Sequence, residues 1–502
     1  MTDKLTAGGG PTAKLRLVPV VCFFLATRLL ILPFQQPTSD VEIYARYAHE
    51  LGAAPRGVSF YEYHARAVER ETEEARAAGT LAGSIEENKD VEYPPLALAV
   101  MRLPALGLHD GAAGDSPTKD FLDAYRVRYR WLVAGADAIL FVLLLMLVRR
   151  LFAQENRGEQ AQRLLGYVAC TAALWHLLYD RLDLPLALLV VLALALLLGR
   201  LPYVWSFAVL AVAINFKLTP LVLAPVWIVG ALPHGQRLEF SRPRVLLALA
   251  GRSTLLIGMV LTCFLPFYLW GGSPCLGFLK YHRERGLEIG SVLASLPLAL
   301  QIFGAPLDVT YSYKSINLRS PTSPFLVALA PWLTAGLLLA ATALLLAHFP
   351  RPAARPEGDS PGRPTAAQHD PRVVVGFTLL FLMLFVVGNK VFSPQYLLWL
   401  APLVCLIPLP PRGRLWFTWT FLMVCVLSTV LVPFLFVVDL VDPSAAQTVP
   451  RSFNHPTVRL AAVTVARNLL FLGLTAGLAW SLICRCLDAA AASRTGPGRE
   501  GV

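Results

Sequence analysis

The chain has 502 residues, of which 56% are hydrophobic and only 15% charged, and its mean hydropathy is +0.56. Soluble domains carry nearer about 25% charged residues, so that class is excluded and a polytopic membrane protein is expected. The net charge of +11 would suggest nucleic acid in a soluble protein. Here many arginines stand between apolar runs, where positive charge holds loops in the cytoplasm, so no nucleic-acid partner is expected.

Lys4, Lys14 and Arg16 flank the start of the first apolar run, 15–34, and no small-x-small cleavage site follows it. That is the pattern of an uncleaved signal anchor with residues 1–14 in the cytoplasm. The next stretch, 35–128, is too polar to cross, apart from Pro94 to Leu108, which is short and interrupted by Arg102 and Pro104. If Pro94 to Leu108 spanned, Arg149, Arg150, Arg157 and Arg163 would fall outside, so a helix at the outer interface is expected within one large external loop. At roughly 20 apolar residues per crossing, the remaining spans are expected at 129–148, 163–179, 183–200, 203–216, 218–232, 245–269, 323–349, 373–389, 395–410, 415–438 and 458–484.

With the first run that makes twelve spans and puts both termini inside. The frame places Arg237, Arg242 and Arg244, then Arg351, Arg355, Arg363 and Arg372, then Arg412 and Arg414, and finally Arg485 and Arg494, in the cytoplasm. The expected architecture is an all-α polytopic membrane protein with a transmembrane domain over 15–485. External loops cover 35–128 and 270–322, a Pro-, Gly- and Ala-rich cytoplasmic loop at 350–372 is expected to be disordered, and a tail covers 486–502. Six of the eight cysteines, Cys22, Cys170, Cys263, Cys405, Cys425 and Cys484, lie in or beside apolar runs and Cys275 stands alone, which gives no disulfide framework or metal-ligand spacing.

The polar segments of the outer face are where chemistry is expected. The predicted span interiors hold few ionisable groups, Arg28, Asp137, His176 and Arg252 among them, and a transporter relay normally needs several. Ser39-Asp40-Val41-Glu42 follows the first span. Ser with Glu three residues later, ahead of Val41, Tyr44, Ala48 and Leu51, is also a capping box opening an amphipathic helix, with Asp40 in the first turn. The same amide dipoles keep Asp40 ionised, which suits a base. Glu92-Tyr93-Pro94-Pro95 reads either as a rigid helix start or as a rigid mount for two polar groups beside a substrate hydroxyl.

Lys217 interrupts an apolar stretch, as a snorkelling lysine or as a phosphate contact at the headgroup plane. The run Lys280 to Glu288 contains His282, Arg283, Arg285 and Glu288; its charges pair with each other or present arginine forks to a phosphate. Asn389 to Tyr396, with Lys390, Gln395 and Tyr396, combines a cation, amides and an aromatic ring in what is structurally a turn before a helix. Glu62 to Arg76 reads as a solvated helix, with Glu62/Arg66 and Arg70/Glu74 four residues apart. No Walker loop, dinucleotide fingerprint, nucleophile elbow or zinc motif is present in the sequence.

An acidic motif after the first span, Tyr-Pro-Pro-Leu at 93–96, Lys-x-x-Pro at 217–220, Arg-Gly-Leu-Glu at 285–288 and Phe-Ser-Pro-Gln-Tyr at 392–396 together resemble the GT-C superfamily of membrane glycosyltransferases. Over roughly 15–440 the chain looks like glycosyltransferase family 87, the polyprenyl-phosphate-mannose-dependent mannosyltransferases. The resemblance implies a GT-C-like bundle in the plasma (inner) membrane with its active site on the external or periplasmic side. It also implies transfer of a hexose, mannose first, from a polyprenyl-phosphate sugar to a glycan or glycolipid acceptor, with membrane lipids as further partners.

In that role Asp40 is the catalytic base of an inverting displacement, and Glu42, Tyr44, Glu92, Tyr93, Lys217, His282, Arg283, Arg285, Glu288, Lys390, Gln395 and Tyr396 are substrate-binding. Two departures stand out: an insertion around 60–89, and Gly290 where an acidic residue would be expected. Some GT-C relatives use a divalent metal with paired carboxylates, but one Asp and one capping Glu make a poor hard-cation site, so no metal or other cofactor is expected. The rival readings are a transferase of the same fold using arabinose or glucose, and a non-enzymatic lipid or solute transporter.

Overall fold

The structure, a computed structural model, describes residues 17–35, 38–77, 90–108, 116–232, 243–348, 371–440 and 455–494. The expected cytoplasmic N-terminus, the expected disordered loop (all but its last two residues) and the tail from 495 on lie outside the described residues. Helix α1 (Val18–Phe34) is followed by α2 (Ser39–Ala53), α3 (Phe60–Ala77) and α4 (Pro95–Arg102), the last continued by a single turn at Leu103–Ala105. Then come α5 (Lys119–Leu151), α6 (Arg157–Ala173), α7 (Asp183–Leu197), α8 (Tyr203–Phe216), α9 (Ala224–Gly230) and α10 (Pro243–Gly271). Two short helices, α11 (Gly277–Glu284) and α12 (Ser295–Ile302), lead to a hairpin of β1 (Asp308–Ser312) and β2 (Ser315–Arg319). The chain closes with α13 (Ser323–His348), α14 (Pro371–Gly388), α15 (Tyr396–Cys405), α16 (Pro411–Thr429) and α17 (Val458–Arg494), with a kinked turn at Val430–Leu435 and a last helical turn at Phe436–Leu440 continuing α16.

Six described helical segments are long and apolar enough to cross a membrane: α5, α10, α13, α14, Pro411–Leu440 and Val458–Asp488 within α17. The number is seven if α1 and α2, bent by 73°, count as one broken span. Five expected spans are instead shorter helices: α6, α7, α8, the pair Thr219–Gly230, and α15. Short helices are tolerated at membrane depth where surrounding protein shelters them. The residues of α15 are buried throughout, and 78% of the apolar stretch of α14 is buried, against 11% for α10. The outer helices turn large apolar side chains outward, Trp332, Leu269 and Leu29 among them, as a surface facing lipid does.

The bundle has two chemically different ends. At one, arginines of other helices cap carbonyls left open at helix C-termini: Arg163 of α6 donates to Cys405 O (3.2 Å) and Ile407 O (2.9 Å) at the end of α15, and Arg372 of α14 to Leu151 O (3.0 Å) at the end of α5. Glu155 joins Arg163 (2.6 Å) to Arg414 (3.0 Å) there. The other end gathers Asp40, the Asp180–Asp183 turn, Lys217, the 285–291 loop and the 389–395 turn. Between them, inside the bundle, Arg28 Nε meets Asp137 Oδ2 at 2.9 Å, and Tyr167 (2.5 Å) and Tyr179 (3.0 Å) also donate to that carboxylate. Two of the ionisable groups predicted in the spans thus form one closed pair.

Candidate active site

Helix α2 begins at the predicted place, but not by the predicted capping box. Its cap residue, Thr38, makes no side-chain cap bond. Instead the Thr38 amide donates to Asp180 Oδ2 at 3.0 Å, and Arg130 holds the same carboxylate with two bonds of 2.7 and 3.0 Å. Glu42 is freed from capping and turns outward; its carboxylate, 55% exposed, reaches only Arg126 at 3.8 Å.

The turn that carries Asp180 supplies the partners of two more predicted residues. Arg181 donates to Asp40 Oδ1, and Asp183 Oδ1 accepts from Lys217 Nζ at 2.8 Å and from Trp399 Nε1 at 2.5 Å. Lys217 also lies 4.7 Å from the centre of the Trp399 ring, which stacks on Tyr396 at 4.3 Å. Asp180-Arg181-Leu182-Asp183 therefore seats the start of α2, pairs the candidate base and fixes Lys217. None of its residues was among the candidates read from the sequence; three charges in four positions between apolar runs was the signal.

Glu92 precedes the rigid Pro94-Pro95 entry to α4, which α2 holds through Arg102 Nη1 donating to Ala48 O at 2.8 Å. Beside Glu92, the Tyr93 and Tyr44 hydroxyls meet at 3.0 Å, and Tyr44 packs its ring 5.5 Å from Tyr129. Lys314 comes to the same place from the hairpin. Strand β2 pairs with β1 from Asp308↔Arg319 to Ser312↔Ser315 and on its other side with the loop after α11, Ile289 N donating to Ile316 O at 2.9 Å and Leu318 N to Leu287 O at 2.8 Å. Tyr313 and Lys314 form the hairpin tip, both with positive φ (48° and 52°), and Lys314 Nζ donates to Tyr47 Oη at 2.9 Å.

The run Lys280 to Glu288 divides. Arg283 points to solvent, its side chain 78% exposed beside Glu284 at 3.6 Å. His282 is exposed, with its ring on Tyr281 at 5.6 Å. Arg285 turns inward, 5.8 Å over the Tyr281 ring; its Nε is buried without a hydrogen-bond partner among the described residues, as is Glu288 Oε2. The 389–395 turn braces this loop. Lys390 Nζ donates to Arg283 O (2.7 Å) and Arg285 O (2.5 Å), and Glu288 N donates back to Lys390 O (3.0 Å). Gln395 accepts from Ser393 inside its own turn.

Gly290 is explained by the same contact. A Cβ there would stand 2.8 Å from Phe392 O, so the acidic side chain expected at that position has no room. Arg467 of α17 donates to Gly290 O and lies 4.3 Å over Phe392.

The two carboxylates of the site are driven apart. Burial raises Asp40 above the ordinary carboxylate range, Arg181 opposing it and the Glu92 charge adding to it. Burial acts the same way on Glu92, but Lys314, Tyr93, Arg285 and Tyr281 outweigh it and hold Glu92 at about 2. Glu92 is thus a fixed anion, and Asp40 is the more basic group. Burial also raises Glu288 against Arg285 and Arg467, and it lowers Lys390, with Arg285 nearby, to about 8. Among the described residues no group of three or more His, Cys, Asp or Glu could hold a metal ion.

No family model matches this chain, and no curated protein matches it. Among solved structures it is similar to the crystal structure of ArnT from Cupriavidus metallidurans bound to undecaprenyl phosphate, at 18% identity and a TM-score of 0.44, over 96% of this chain and 76% of that one.

Proposed function

We propose that this chain is a membrane glycosyltransferase of the GT-C kind that moves a hexose, mannose in the first instance, from a polyprenyl-phosphate donor to a glycan or glycolipid acceptor. The observation that carries the reading is the gathering, at one end of an apolar bundle, of a carboxylate of raised basicity with Arg181, Lys217, Arg285 and Lys314. A sugar on a lipid phosphate needs one base and a set of cations, because its departing phosphate oxygen is a weak base that requires no proton.

Asp40 Oδ1 is taken by Arg181; Oδ2 has no hydrogen bond among the described residues and is the oxygen that accepts the acceptor's hydroxyl proton. The acceptor oxygen bonds to the anomeric carbon as the bond from that carbon to the phosphate oxygen breaks, its electron pair leaving with the lipid phosphate and the centre inverting. Arg285, with a free buried Nε, and Lys217 stabilise the charge gathering on that phosphate. Glu92, Tyr93 and Tyr44 sit on the Asp40 side, where the acceptor hydroxyl would be oriented. Lys390, Glu42 and Arg283 are assigned no substrate contact.

The test is mannose transfer from polyprenyl-phosphate-mannose in membranes holding equal amounts of wild type or Asp40→Asn. Loss of about 10²–10⁴-fold in rate with donor binding kept is the expected result. Equal rates would remove Asp40 as base and make Glu92 the next candidate; no donor consumption by either protein would end the mannose assignment and return another lipid-linked sugar or a transporter.

A further inference from the structure

At the arginine-rich end, away from the candidate active site, a groove of about 510 Å³ opens between the last turns of α5 and α7. Its wall is Leu143, Met146, Leu147 and Ala195, and its rim is Arg149 and Arg150. Arg150 is fixed at the mouth by a hydrogen bond from Nη2 to Leu198 O at 2.5 Å. Arg149 is exposed and has no hydrogen bond or ion pair among the described residues, and Arg200, in the next loop, is exposed as well. Met146 is 62% exposed on an apolar helix that faces lipid.

An apolar slot that ends in unneutralised guanidinium groups matches a molecule with a hydrocarbon tail and an anionic head. We infer that this groove is a binding site for an anionic phospholipid, its acyl chain along Leu143, Met146 and Leu147 and its phosphate on Arg149 and Arg150. The geometry favours a lipid over a second copy of the chain, because a protein partner would have to bring a carboxylate to this depth as well as an apolar side chain. Basic pockets between membrane helices select anionic head groups, and each arginine near the surface contributes about five-fold in affinity. The site is independent of the sugar-transfer reading.

The test uses the full chain in detergent with photoactivatable phosphatidylglycerol or phosphatidylcholine carrying a diazirine in the acyl chain, the adducts being mapped by peptide mass spectrometry. Phosphatidylglycerol is expected to label the peptide holding 143–147 several-fold more than phosphatidylcholine. Arg149→Gln, which breaks no contact in the fold, should reduce that labelling about five-fold. Met146→Trp, which fills the slot and leaves both charges, should reduce labelling by both lipids. Equal labelling by the two lipids, labelling unchanged in Arg149→Gln, or protection of the peptide by dimerisation would each overturn the assignment.

Discussion

At the scale of single residues, the candidate base is defined by what surrounds it. Burial and the nearby Glu92 charge make Asp40 more basic than a solvent carboxylate, while Arg181 holds it back. The base works only when ionised, so activity is lost as pH falls through this raised value. The acid limb of the pH–rate profile should therefore lie above the ordinary Asp value of about 3.9. Arg181→Gln removes the opposing cation and should move the limb to still higher pH; a limb that does not move would show that Asp40 is not the titrating group. Lys217 stood out in the sequence as a cation in an apolar stretch, and Asp40, Glu92 and Arg285 as members of the polar segments between apolar runs. Arg181 was passed over because a charged turn between two spans looks the same whether it faces water or a carboxylate. Glu42 was misplaced because the helix start it was expected to cap is held by Asp180, which lies 142 residues from Thr38 in the chain.

At the scale of elements, the hairpin and the 389–395 turn matter most, and they were the least legible. The hairpin turn, Tyr313-Lys314, has no Gly or Asn to announce its left-handed backbone, so its strands were hidden in a loop of the expected size. The 389–395 turn was expected to offer Lys390 to substrate; the structure spends that ammonium on the carbonyls at the end of α11. In the proposed reaction Lys390 acts by positioning Arg285. Lys390→Ala should lower the rate by up to about 10²-fold and raise the donor KM, since small misplacements of a charge clamp have effects of that size. With Lys390 lowered to about 8, its charge and its grip fade as pH rises through that value. Lys390→Arg should extend activity to higher pH. A wild-type profile flat to pH 10, or a Lys390→Arg profile like the wild type's, would contradict the positioning role.

At the scale of the whole molecule, the apolar periodicity made the membrane class plain, while the lengths of α6, α7, α8 and α15 did not follow from it. Their shortness depends on neighbours that shelter them, which hydropathy does not contain. The Arg28–Asp137 pair, 109 residues apart in the chain, ties α1 to α5 within that interior. Asp137→Ala would leave Arg28 buried without its partner, and a loss of about 3–5 kcal/mol in stability is expected, read as a lower thermal midpoint in detergent. An unchanged midpoint would mean that the pair is spared by water or lipid at that depth.

The brace between Lys390 and the Arg285 loop also carries a message about time. The chain is made from its N-terminus, so Asp40 can meet Arg181, and Lys217 can meet Asp183, before the brace of the Arg285 loop exists. Lys390 and Trp399 arrive late, and Arg467, which holds Gly290, arrives later still. During synthesis the 285–291 loop must wait for its braces, and the polar cluster is finished only as the last helix enters.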